Sequence, residues 1–162
     1  MPSKTNAMRT LDQRKVPYSV FTFSPDIHSA DGVAAALGIP AATVYKTLVV
    51  LRPAGRPLLV IVPGDRELDL RLLARSLVEK SLSMAGHREA EALTGLQVGG
   101  ISALALLGKG FDVCIDRAAL SLDLGQIVVS AGARGLNLRL RVSDLVAVTG
   151  ARTVEATAGA GA

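Results

Sequence analysis

The sequence predicts an α/β protein, and three stretches carry that prediction. Val44 to Leu51 and Leu58 to Val62 are apolar runs of strand length, separated by the turn Arg52-Pro-Ala-Gly-Arg-Pro57, and they read as a hairpin in the middle of a sheet. Asp69 to Val78 places Leu70, Leu72, Leu73, Leu77 and Val78 at helical spacing behind a capping Asp69. Leu136 to Val142 alternates, which predicts a strand with Leu136, Leu138, Leu140 and Val142 inward and Asn137, Arg139 and Arg141 outward. The 162 residues suit one domain. With 3 % aromatics and no Trp, its core must be packed from Leu, Val, Ile and Ala.

In chain order, residues 4 to 15 form an amphipathic helix through Ala7, Met8 and Leu11, ended at Val16-Pro17. Tyr18 to Phe23 is a strand broken by Ser24-Pro25-Asp26. Ser29 or Asp31 caps a helix that runs to Leu37, with Gly38 as the left-handed residue after it. After the hairpin and the 69–78 helix comes Gly86 to Leu93, a second helical stretch ended by Thr94-Gly95. Asp112 to Asp116 and Gln126 to Ser130 are further strands. Ser143-Asp144 caps a last helix through Leu145, Val146 and Val148. The single domain therefore spans 1–150, and the Ala, Thr and Gly of 151–162 are expected to be a disordered tail.

Charge and composition exclude several functions. No apolar run approaches the ~18 residues of a membrane span. Lys4, Arg9, Arg14 and Lys15 are followed by no hydrophobic region, so a soluble protein without a signal peptide is expected. One cysteine excludes an internal disulfide and a cysteine-built zinc site, and it suits a reducing cytosol. The net charge of +4 admits an anionic partner such as RNA, and a generic basic surface explains it equally well.

Lys46 is the first functional candidate. Val44, Lys46, Leu48 and Val50 share one strand face, and Tyr45, Thr47, Val49 and Leu51 share the other, so neither face is polar. Such a strand is covered on both sides. Its ammonium either snorkels past the strand end into water or meets a wet cleft or an anion. Val98-Gly-Gly-Ile-Ser102 is the second candidate: paired glycines let backbone amides approach a ligand, although an ordinary turn reads the same way. Cys114, between Val113 and Ile115, reads as a buried structural thiol. His28 and His87 are isolated in sequence, and no ligand spacing for a metal surrounds them. Chemistry here would rest on positioning and backbone dipoles rather than on a protein nucleophile.

Three ordered motifs, Tyr45-Lys46-Thr47-Leu48, Val98-Gly-Gly-Ile-Ser102 and Val129-Ser-Ala-Gly-Ala-Arg-Gly-Leu136, resemble the YbaK family, whose members are similar to the inserted editing domain of prolyl-tRNA synthetase. The resemblance covers the first helix to Val148. It implies a mixed, mostly antiparallel sheet curled into a barrel with flanking helices, and hydrolysis of mischarged aminoacyl-tRNA, above all Cys-tRNA(Pro). It further implies Lys46, Gly100 and Ser102 as the catalytic set, with Phe23, Tyr45, Thr47, Gly99, Ile101, Arg134 and Asn137 contacting substrate. No cofactor, metal, membrane or DNA is expected; tRNA(Pro) is the partner, with prolyl-tRNA synthetase a further candidate, in the cytoplasm.

Three positions depart from the family pattern: Ala103 follows Ser102 where Pro is usual, Asn137 replaces an Asp, and Phe23 replaces a Tyr. Ala-tRNA(Pro) or another small aminoacyl ester is the alternative substrate. A tRNA- or synthetase-binding module without activity is the alternative class. Arg134, Arg139, Arg141 and the N-terminal cations are the expected phosphate contacts.

Overall fold

The predicted hairpin is the centre of the larger of two sheets in the protein's structure, a computed structural model that describes residues 3–158. β2 (Tyr45–Leu51) and β3 (Leu58–Pro63) pair antiparallel, with Tyr45 opposite Pro63 and Val50 opposite Leu58. β5 (Asp112–Asp116) joins β3 in parallel, β8 (Arg152–Val154) joins β5 in parallel, and the two-residue β4 (Ser83–Met84) lies beside the end of β2. The order is therefore β4-β2-β3-β5-β8. β1 (Ser19–Thr22), β7 (Leu136–Arg141) and β6 (Gln126–Ala133) form an antiparallel sheet of order β1-β7-β6. A parallel bridge between Val44 and Val128 links the two.

Among the described residues, five α-helices cover these sheets, and their starts follow local chemistry. Thr5, Ser29 and Asp69 each accept a backbone N–H at the entrance to α1 (Asn6–Gln13), α2 (Ala30–Leu37) and α3 (Leu70–Leu77). Ser29, not Asp31, is thus the cap of α2. The largest apolar cluster draws Tyr45, Val49, Leu59 and Ile61 from one sheet and Ile127, Val129, Leu138 and Leu140 from the other. Leu11 of α1 and Leu145 of α5 (Val142–Thr149) belong to the same cluster. The opposite face of the larger sheet, with Val50, Leu58, Val60 and Val62, packs with Leu73 of α3. Val33 and Ala34 of α2 pack with Val44 and Val128, where the sheets meet. α4 (His87–Thr94) follows β4 directly.

Four expectations are corrected. Val142 begins α5 instead of ending β7, so Ser143 and Asp144 lie in the first turn, where Asp144 pairs with Arg141 at 3.1 Å. Val78 follows α3 in the left-handed region, with φ 56°, and is 89 % exposed; that conformation is unusual for a β-branched residue. Asn137 is buried, because α2 and the residues before it cover the face that alternation assigned to solvent.

The fourth correction concerns the tail. Residues 152–154 are strand β8, and Ala156 is fully buried; the part of the expected tail at 159–162 lies outside the described residues. The buried carboxylate of Asp116 organises this end of the chain. Its Oδ1 accepts from the amides of Ala156 at 2.8 Å and Thr157 at 3.1 Å, and its Oδ2 accepts from the amide of Ala118 at 3.1 Å. Removing the acceptor leaves three amides without it, each worth on the order of 1 kcal/mol or more. Asp116→Ala is therefore expected to cost about 3 kcal/mol. Thermal unfolding checks this, and an unchanged midpoint would show that the carboxylate does not hold the tail.

Candidate functional site

The first half of β2 floors a cavity of about 210 Å³. One wall is His28, Ser29, Ala30 and Val33, from the entrance and first turns of α2. A second is Met84, Ala85, His87 and Ala90, where β4 passes into α4. Val98, Gly99 and Ile101 of the glycine loop form a third, and Ser130 of β6 and Asn137 of β7 complete it. The register of β6 against β7 shifts between Ser130 and Ala133, so an irregular strand borders the site, as bulges often do.

Most of this lining is aliphatic, which makes Lys46 conspicuous. It is half-buried on β2, and among the described residues it has no ion-pair or hydrogen-bond partner. Of the sequence alternatives, the cleft is realised: the side chain lines the cavity. Tyr45 and Thr47 line it too. The Tyr45 ring belongs to the main core, and its buried hydroxyl has no partner among the described residues. Burial pushes this phenol well above its ordinary range, with the charge of Asp116 adding to the shift, so it stays neutral.

The remaining predicted residues separate into two groups. Gly99, Ile101 and Asn137 line the cavity. Phe23, Gly100, Ser102 and Arg134 do not. Phe23 packs with Phe21 and Ile27 on the α2 side. Ser102 is 2 % exposed, and its Oγ is buried without a partner among the described residues. Arg134 reaches back to the glycine loop, donating from Nε to the Val98 carbonyl at 2.7 Å. Arg139 stacks over Phe21 at 5.2 Å and Arg141 pairs with Asp144, so both expected phosphate contacts also have partners within the chain.

The glycine loop is a close approach as well as a wall. The Gly100 amide donates to the Gln97 carbonyl at 2.8 Å, and a Cβ on Gly100 would stand 2.9 Å from the Arg134 nitrogen and 3.0 Å from the Ala133 carbonyl carbon. The loop thus enters the cavity through Gly99 and Ile101, while Gly100 faces the β6–β7 turn. Among the described residues, the amides of Ile101 and Ser102 have no hydrogen-bond partner, which leaves donors of the kind that stabilise an oxyanion. Among the described residues, no group of three or more His, Cys, Asp or Glu side chains comes together in a way that could hold a metal ion. The Cys114 thiol lies in the core under α3, and burial raises it to about 11, so it is protonated at neutral pH.

A family profile for the aminoacyl-tRNA editing domain matches residues 24–148, which contain every one of these elements except α1, β1 and β8, and all of α5 but its last residue. This chain belongs to the aminoacyl-tRNA editing domain family. EbsC of Enterococcus faecalis, named as a candidate Cys-tRNA(Pro)/Cys-tRNA(Cys) deacylase, is 36 % identical over 156 residues, 95 % of this chain and 93 % of EbsC. A proline–tRNA ligase of Nitratidesulfovibrio vulgaris is 40 % identical over 76 residues, 47 % of this chain and 13 % of the ligase. The crystal structure of the hypothetical protein APE2540 has a TM-score of 0.85 at 25 % identity, covering 94 % of this chain and 99 % of that one.

Several lining residues of this editing domain escaped the sequence reading. Ser130 stands inside the Val129 to Leu136 motif, a signal that was available. His28, Met84 and His87 gave none, because each sits alone in sequence and only the meeting of α2, β4 and α4 brings them to one rim. The placement of Gly100 generates a prediction. Gly100→Ala forces backbone against backbone and is expected to destabilise by about 1–3 kcal/mol, with site function falling only as folded protein is lost. Thermal unfolding and any site readout on the same sample check it; a fully stable variant with a blocked site would put the methyl in the cavity instead.

Proposed function

We propose that this protein is a free-standing, trans-editing deacylase that hydrolyses the ester of mischarged aminoacyl-tRNA, with Cys-tRNA(Pro) as its substrate. The observation that carries this reading is the unpaired Lys46, lining a small aliphatic cavity beside a glycine loop with free amides. A cavity of about 210 Å³ is below the ~300–1,000 Å³ that drug-sized ligands occupy. It suits a small aminoacyl group, with the terminal nucleotide of the tRNA outside. Membership of the family and the similarity to EbsC support the substrate class.

In this reading Lys46 meets the anionic or hydroxyl-bearing 3′ end of the tRNA at the cavity mouth, as a charge-assisted donor. The amide of Ile101, on the cavity wall, faces the ester carbonyl and stabilises the charge that develops on its oxygen. The nucleophile is the substrate's own thiol. Its sulfur bonds to the carbonyl carbon as the thiol proton is lost, the C–O bond to the ribose breaks, the departing ribose oxygen takes up the proton the thiol gave up, and water then opens the resulting thiolactone to free cysteine. For an aminoacyl group without a thiol, such as alanine, a water in the same place would attack. Prolyl-tRNA synthetase, as the source of mischarged tRNA(Pro), is the partner this scheme implies, in the cytoplasm with translation. The two bridged sheets then act as the wall of one curled barrel, with the cavity over β2 at its side.

Lys46→Ala is expected to leave the fold intact and to lower deacylation at least ten-fold, which corresponds to about 1.4 kcal/mol of transition-state stabilisation. Release of amino acid from Cys-, Ala- and Pro-tRNA(Pro) by wild type and variant checks both residue and substrate. Undiminished turnover by the variant would remove Lys46 from the mechanism. Binding of mischarged tRNA with no release by the wild type would favour the inactive binding module.

A further inference from the structure

Val98 opens the glycine loop, and charged side chains from two different elements hold it from opposite sides. Its amide donates to Glu91 Oε2 at 2.8 Å, from α4. Its carbonyl accepts from Arg134 Nε at 2.7 Å, from the β6–β7 turn. Both contacts are charge-assisted and short. Among the described residues neither Glu91 nor Arg134 forms an ion pair, so the loop backbone is what each of them binds. Two residues further on, the loop meets the same turn again, where only a glycine fits at position 100. Between these two fixed points stands Gly99, with φ 93°; a Cβ there would lie 3.6 Å from Arg134 Nε and 3.3 Å from the Cβ of His28.

The free amides of Ile101 and Ser102 therefore take their place from residues that do not themselves line the cavity. That arrangement matters for an ester cleaved without a protein nucleophile, because the catalytic work then rests on donors aimed in advance at the developing oxyanion. A displacement of about 1 Å in such donors can cost on the order of 10²-fold in rate. We infer that Glu91 and Arg134 form a clasp across the Val98 peptide that stations the Ile101 amide at the reacting carbonyl, so that both act as positioning residues of deacylation. The inference rests on the deacylase reading above. It also gives Arg134 a different task from the phosphate contact expected of it, since its Nε is occupied by the loop.

The test compares Arg134→Ala, Glu91→Ala, Glu91→Gln and the double alanine variant in steady-state deacylation of Cys-tRNA(Pro), and in hydrogen exchange of the amides of residues 98–102. Each alanine variant is expected to lower kcat about ten-fold with KM unchanged, and to speed exchange of the loop amides. Glu91→Gln keeps an acceptor oxygen and restores most of the rate. The double variant is no worse than the more severe single one, because both side chains hold the same peptide. A rise in KM for Arg134→Ala alone, with the salt slope of binding reduced by about one phosphate, would overturn the clasp in favour of a phosphate contact. Unchanged exchange in both alanine variants would overturn it whatever the rates. If the wild type releases no amino acid, the deacylase reading fails, and exchange still decides the clasp.

Discussion

β2 has to be buried on both faces, and that constraint shapes the molecule. One side of the strand enters the core shared by the two sheets, through Tyr45 and Val49. The other meets the α3 layer at Val50, and Val44, just before the strand, packs with α2. These coverings come from separate elements, and they do not close over the middle of the strand. The gap lies where Lys46 and Thr47 sit. Burying an unpaired ammonium completely would be costly, so the same residue that makes the strand awkward to cover also keeps the cavity open to a charged partner.

The rest of the site follows from how that gap is rimmed. α2 is capped by Ser29, which fixes the chain just after His28; α4 begins directly behind β4; and the glycine loop is pressed against the β6–β7 turn. Rigid elements thus bound a small cavity on every described side. The free amides lie in the glycine-loop wall, and polar contacts from Glu91, Arg134 and Gln97 make that wall definite. A site of this kind acts by placement rather than by a reactive side chain, which agrees with the protonated, core-bound Cys114.

Legibility in the sequence followed the range of the interactions. The hairpin, α3 and the caps of α2 and α3 were readable because periodicity and capping are local, and Lys46 stood out because its neighbours were apolar. Strand β8 was hidden, since Arg152-Thr-Val154 is too short to show a period and its partner β5 lies far back in the chain. What holds the segment after it is equally distant in sequence: the Asp116 carboxylate, the Asp69 amide donating to the Ala156 carbonyl, and a bridge between Thr157 and Leu68. Asn137 was assigned to solvent because alternation tells one face of a strand from the other and not what covers each. Gly100 read as a ligand contact because sequence shows that a glycine is needed without showing which neighbour requires it.

In the proposed reaction the cavity over β2 receives the aminoacyl end of a tRNA. The most direct measurement is amide and side-chain NMR of the labelled protein, titrated with 3′-cysteinylamino-adenosine, in which an unreactive amide replaces the ester. Binding in the cavity gives saturable shifts concentrated at Lys46, Gly99, Ile101 and Asn137. Shifts confined to the far side of the sheet, around Arg66 and Asp116, or no shifts at all, would contradict it.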